Sequence, residues 1–469
     1  MRIKSLFTAR DMTLGSPWKR IAEFALPMLL GNLAQQLYNT ADSIIVGIYV
    51  GDNALAAVGS AMPILNLLLA LFVGISTGAG IVISQHFGAR DREGLSTAIG
   101  NCISLTAIAT LIIMVVGPFI TRPFLELLGT PDSIIDWCTN YLDIYFYGII
   151  GFFFYNMLSG ILRGLGDSFT ALMFLLVSAA LNVALDVLFV AKFHMGVPGV
   201  SLATVIAQAI SAVLCYLKLM RMSSLFDLNF KTMRLIPSMA LRILRIGIPS
   251  GITQAIMATA GMVVQSLTNS MGETVIACNV IIMRVDGFAM LPNMTFGQAM
   301  SVYTGQNVGA GKLDRVHQGV KQGSAMALTV SAVITAVLLV FGRYLFDIFT
   351  DTQELIELAV KMMRVLAVGY ICISVTQVLG GVMRGAGDTV TPMWISIIST
   401  IFLRVPTAYL MAALTKNEAY PNGQPIAIFT SLLVSWTLGM VISIIVFRMG
   451  KWKKKMLASA AAHGHNVNS

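Results

Sequence analysis

Charge is the scarcest property of this sequence: Asp, Glu, Lys and Arg together make up only 11% of 469 residues. So little polar surface cannot enclose a water-soluble globule of this length. With 56% hydrophobic residues and a mean hydropathy of +0.79, the chain reads as a membrane protein. Cysteine is also scarce. Cys102, Cys138, Cys215, Cys278 and Cys372 lie in or beside apolar stretches without close pairs, which excludes a disulfide framework or thiolate metal site and leaves small apolar packing residues. The histidines are equally scattered, and His463 and His465 read as solvent-exposed residues of a polar tail. No P-loop, metalloprotease or nucleophile-elbow pattern occurs, so neither ATP-driven transport nor an enzyme is expected, and no cofactor. The first twenty residues carry Arg2, Lys4, Arg10, Lys19 and Arg20 without a compact apolar core or small-residue cleavage site. They do not read as a signal peptide.

What is abundant is apolar length. Stretches of roughly 20 residues recur, each able to cross a hydrocarbon layer of about 30 Å as a helix. Twelve are expected, near 21–46, 55–84, 95–120, 133–162, 169–191, 199–220, 242–271, 274–303, 323–342, 353–383, 391–414 and 425–447. Alternate connections place 23 of the 31 Lys and Arg on one side, including the N-terminal group, six between 218 and 245, and five from 448 to 455. By the positive-inside rule both termini are cytoplasmic, in a multi-pass protein of the cell membrane. The net charge of +9 is thereby topological and implies no nucleic-acid partner. Membrane lipids are the expected partners, with the 451–455 lysines suited to anionic headgroups.

The chain is also written twice. Arg163-Gly164-Leu165-Gly166-Asp167-Ser168 and Arg384-Gly385-Ala386-Gly387-Asp388-Thr389 lie 221 positions apart, and Gln85-His86-Phe87-Gly88-Ala89 and Gln306-Asn307-Val308-Gly309-Ala310 repeat at the same offset. Two matches in one register indicate a parallel duplication of whole bundles. The expected organisation is a six-helix bundle over 1–220, a cytoplasmic linker at 221–241, a second six-helix bundle over 242–448 and a basic tail at 449–469. The Arg-Gly-x-Gly-Asp-Ser/Thr strings read as turns, with glycine supplying unusual dihedrals and Asp an N-cap.

Charges inside apolar helices cost several kcal/mol unless paired, hydrated or functional. Asp42 lies in the first span with Tyr38 one turn before it, and Asp186 in the fifth with Asn182 at i−4 on the same face. These residues either lock helices together as buried polar contacts or, if they converge, supply oxygen ligands for Na+ or a proton carrier. Asp286 and Arg284 in the eighth span read as a charge pair or as a gating or cavity element. Arg404 reads as a snorkelling or carbonyl-bound arginine, or as a substrate ligand. Pro27 and Pro249 fall in the first helix of each half, where a missing N–H kinks the helix, statically or as a moving part. The aromatic fourth span and the 28 Met read as packing, or as a soft cavity lining for flat or cationic lipophiles.

On these residues the sequence resembles the multidrug and toxic compound extrusion (MATE) transporters from about Lys19 to Lys455. The carrying features are the two six-helix halves, both repeated strings and Asn39-Thr40-Ala41-Asp42-Ser43-Ile44-Ile45-Val46-Gly47. The resemblance implies a V-shaped pair of six-helix bundles exporting lipophilic or cationic drugs by alternating access in exchange for H+ or Na+, as a monomer. It is nearest the prokaryotic DinF-like branch, whose cation site matches Asp42, Asn182, Asp186 and Thr204 and whose first helix bends at a proline matching Pro27. The NorM-like branch carries acidic residues in its seventh and tenth helices. Here those stretches offer Gln254, Gln265, Ser374 and Gln377, which argues against a cation site in the C-terminal half. Rival readings are a lipid-linked-oligosaccharide flippase of the same superfamily, a major-facilitator-type transporter and a membrane-embedded enzyme.

Overall fold

The computed structural model describes residues 8–49, 52–127, 130, 132–229, 231–418 and 420–464, and their side chains apart from 39, 41–49, 52–64, 67, 127, 132 and 133. The described residues form helices and no strands. In chain order these are α1 (Pro17–Tyr49), α2 (Asp52–Gly88), α3 (Arg92–Leu127), α4 (Asp132–Tyr147), α5 (Ile149–Gly164), α6 (Ser168–Asp186), α7 (Gly196–Met220) and α8 (Pro237–Ser270). There follow α9 (Glu273–Gly309), α10 (Leu313–Asp347), α11 (Gln353–Ala367), α12 (Gly369–Gly385), α13 (Val390–Ser396), α14 (Val405–Leu414), α15 (Ile426–Met449) and α16 (Lys451–Ala462). Among the described residues nine helical spans are long and apolar enough to cross a membrane, and eleven if the bent pairs α4–α5 (53°) and α11–α12 (40°) each count as one. The 33-residue α1 covers the first of the segments read from the sequence. Phe119, Val340 and Leu410, at 80, 67 and 60% exposed, belong to a surface turned to lipid.

Tertiary contacts divide the chain into two units, but not at the 221–241 linker. Unit 1 holds Met1–Asp11 and Leu26–Gly251; unit 2 holds Met12–Ala25 and Ile252–Ser469. The first turns of α1 therefore belong with the C-terminal helices and those of α8 with the N-terminal ones. Each helix changes unit beside a proline: α1 after Ala25, two residues before Pro27, and α8 after Gly251, two residues beyond Pro249. Unit 1 is centred on Ile99, Leu142, Leu158, Val200 and Ile243, and unit 2 on Ile282, Phe346, Leu366, Tyr370 and Phe429.

Internal packing repeats as the sequence does. A Cβ on Gly164 would meet the Gly80 carbonyl at 2.6 Å, and one on Gly385 would collide with the equivalent Ser301 carbonyl. Helix pairs α2–α5 and α9–α12 thus meet backbone to backbone, which apolar solvent favours through small residues. In unit 1, Gly74 and Gly78 of α2 face Gly247 and Gly251 of α8 in a second such crossing.

The duplicated turns behave alike. Gly166 and Gly387 take φ +83° and +88°, leaving Asp167 and Asp388 to open the next helices. Asp167 accepts from the Thr170 N–H (3.0 Å) and hydroxyl (2.7 Å), and Asp388 from those of Thr391 (3.3 and 2.6 Å). The tail departs from the exposed polar segment expected. Gly450 (φ +73°) ends α15, and α16 follows with Trp452, Met456 and Ala460 buried. The Trp452 indole N–H donates to the Phe447 carbonyl and Lys455 Nζ to Asp388 at 2.7 Å. One apolar residue every fourth position gives a helix face to bury.

Candidate functional site

In unit 1, α6 runs regularly to Asp186 and then widens into a π-helical segment over Val187–Lys192. Such segments are rare and frequently mark functional positions. Asn182 and Asp186 are both 0% exposed. The surrounding donors assign the Asn182 amide: its Nδ2 donates to Asp186 Oδ2 at 2.9 Å, while its Oδ1 accepts from the Thr204 N–H at 3.1 Å and hydroxyl at 3.2 Å. Thr204 stands on α7, so the amide ties two helices to one carboxylate. Asn182, Asp186 and Thr204 are therefore brought together. Asp42 lies outside the described side chains; Tyr38 and Pro27 are half-buried on α1.

Two polar groups of unit 1 were missed. Gln208 of α7, one turn after Thr204, is 6% exposed and its Oε1 has no hydrogen-bond partner. Asp143 in α4 also holds an unpartnered buried carboxylate oxygen. Both are polar residues within apolar spans, the signal that picked out Asp186.

Unit 2 corrects one expectation. Arg284 is exposed and does not pair with Asp286. Residues two apart on a helix point to different sides. Asp286 instead accepts from the Tyr370 hydroxyl of α12 at 2.7 Å, with Arg404 within electrostatic reach. Arg404 ends a second π-helical segment, Ile397–Arg404, where Pro406 lacks the N–H that regular helix would use. Of the glutamines read in this half, Gln265 bonds Asn269 (2.8 Å) and Asn279 (3.1 Å), and the Ser374 hydroxyl is buried without a partner.

The Gln-x-x-Gly-Ala strings hold the strands of chain that cross between halves. In unit 1, Gln85 Oε1 accepts from Arg242 of α8 at 2.8 Å. In unit 2, Gln306 Oε1 accepts from the Met12 N–H at 2.8 Å, while Arg315 donates to Asn307 Oδ1 (3.0 Å) and to the Gly15 carbonyl (2.9 Å). The repeated motif is thus structural in both places.

A family model for MatE matches residues 27–188 and again residues 249–410, one copy per half. The chain belongs to the MatE family. Among curated relatives of this MatE chain, "Probable multidrug resistance protein YpnP" of Bacillus subtilis is 30% identical, over 96% of this chain and 99% of that protein. "Probable multidrug resistance protein YoeA" of the same organism is 28% identical, over 94% and 96%. A solved structure described as the outward-facing conformation of a multidrug resistance MATE family transporter superposes with a TM-score of 0.87 at 22% identity, over 95% of this chain and 99% of that one. The MatE fold is thereby shared along nearly the whole length.

Proposed function

We propose that this MatE chain is a secondary active antiporter of the plasma membrane. It exports lipophilic or cationic drugs in exchange for H+ or Na+ by alternating access, with both termini cytoplasmic. The observation that carries the reading is the Asn182–Asp186–Thr204 network, a carboxylate withdrawn from solvent at a π-helical junction within an apolar helix. The relatives' names, multidrug resistance proteins, supply the substrate class.

In this network the Asn182 N–H donor faces Asp186, an arrangement that suits an ionised carboxylate. A protonated Asp186 could still accept that bond through its carbonyl oxygen, whereas Na+ would require the amide to turn and present its oxygen. Either cation neutralises the carboxylate and lowers the cost of moving it through a low-dielectric interior, which permits reorientation after substrate release. Asp42 of α1, which the family resemblance groups with this site, would share the load. A membrane potential of 100 mV adds roughly 2.3 kcal/mol per charge moved fully across, about fifty-fold accumulation. Pro27 and Pro249, where α1 and α8 change unit, are the natural bending points.

Ethidium efflux from cells expressing wild type, Asp42→Asn and Asp186→Asn, under imposed Na+ and pH gradients in turn, tests this. Export by wild type and loss in both variants at equal membrane expression supports coupling, and the driving gradient names the ion. Normal export by both variants would make the network structural.

A further inference from the structure

Unit 2 sets two half-buried charges, Asp286 and Arg404, beside the buried Tyr370, and the N-terminal network assigns them no task. Asp286 lies thirteen residues into the 37-residue α9, well away from either end. Tyr370, 0% exposed, donates to it at 2.7 Å, and the Tyr370 ring packs against Trp436 with centroids 5.7 Å apart. Arg404 acts on the same carboxylate electrostatically without forming a direct ion pair, and its Nε is buried with no hydrogen-bond partner. That nitrogen is left with an unmet hydrogen bond, which is unfavourable. Its retention beside a carboxylate asks for a second arrangement in which the two meet.

We propose that Asp286 is a proton-binding site of the C-terminal unit, with Tyr370 as its positioning residue and Arg404 as a tethered positive charge that takes over the carboxylate when the proton leaves. The ligand class follows from the surroundings. A metal cation would face the like charge of Arg404 and compete with the Tyr370 hydroxyl for the carboxylate. The Tyr370 ring is itself fixed by packing on Trp436, which Gly369 lets approach closely, so the hydroxyl is held on the carboxylate. A proton needs no room, and half-buried Asp286 keeps one side open for its entry. The acid–base step is simple: the proton binds a carboxylate oxygen, no other bond breaks, and Arg404 loses its counter-charge. This rests on the antiport reading for its purpose, but not for its chemistry, and it revises the expectation that the C-terminal half lacks a cation site.

The test is infrared difference spectroscopy of purified protein in lipid across a pH titration, reading the C=O stretch of protonated carboxyl groups. Asp286→Asn should remove about one carboxyl from the titrating band, Asp186→Asn a separate one. Tyr370→Phe should keep the Asp286 band and change the pH at which it appears. If Asp286→Asn does not fold, Asp286→Asn/Arg404→Gln removes both charges and serves instead. A titrating band unchanged in the Asp286 variants overturns the proposal, even if a pH gradient drives efflux. Loss of the band in protein whose efflux ignores every imposed gradient upholds the site and sinks the antiport reading alone.

Discussion

Helix α8 carries two glycines whose replacement separates packing from propensity. A Cβ on Gly247 would lie 2.6 Å from the Ile75 Cα and 3.2 Å from the Gly74 and Ile75 carbonyl oxygens, whereas one on Gly261 would meet nothing within 4 Å. Carbon atoms in contact prefer about 3.5–4.0 Å. Gly247→Ala must therefore push α8 from α2 by roughly 1 Å, and the opposing atoms are backbone, which cannot rotate aside. Both substitutions gain the same intrinsic helix stability, about 0.5–1 kcal/mol. That gain cancels in the difference, which then reads overpacking alone, about 1–3 kcal/mol in favour of Gly261→Ala. Unfolding of the two purified variants by SDS titration in mixed micelles gives the difference directly. Equal stability of Gly247→Ala and Gly261→Ala would refute the close α2–α8 crossing. Gly251→Ala, 2.8 Å from the Leu71 Cα, should follow Gly247→Ala.

Other outcomes follow from the same packing. Asp388→Ala removes the cap on Thr391 and the Lys455 contact together and should cost about 1–2 kcal/mol in the same unfolding assay. Asp167→Ala should cost a similar amount through Thr170, and inequality of the two by more than the Lys455 contact explains would argue against equivalent turns. The exposed Asp227 carboxyl is held below its ordinary range by hydrogen bonds from the Arg92 guanidinium. A depressed folded-state value stabilises above the ordinary value of 3.8 and is lost as pH falls through the folded one. The small melting-temperature gap between wild type and Asp227→Asn should accordingly close only on the acid side. Pro249→Ala restores a helical N–H where α8 changes unit; slower ethidium efflux with unchanged ethidium binding is expected, and unaltered efflux would make that kink static.

The duplication, the spans and the glycine-aspartate turns were legible because each depends on local chemistry that repeats at a fixed offset. Asn182 and Asp186 were legible because a four-residue spacing puts them on one helix face. Thr204 was reached only through family likeness, since contact between α6 and α7 is not encoded locally. The pairing of Asp286 with Tyr370, 84 positions away, was invisible, and adjacency wrongly suggested Arg284 instead. The unit boundaries were hidden for the same reason. Nothing in Met12–Ala25 announces that its partners are Gln306, Lys312 and Arg315. The π-helical segments leave no periodic signature, and α16 was obscured by its lysines, which mask a thin apolar stripe of Trp452, Met456 and Ala460.

The central claim is that Asp186 couples an ion gradient to export. Purified wild type and Asp186→Asn, reconstituted into liposomes loaded with ethidium, should be compared under an imposed gradient of the coupling ion. Gradient-driven ethidium movement by wild type, and its absence in a variant that still binds ethidium, is the result predicted. A variant that answers the gradient as wild type does would contradict the account.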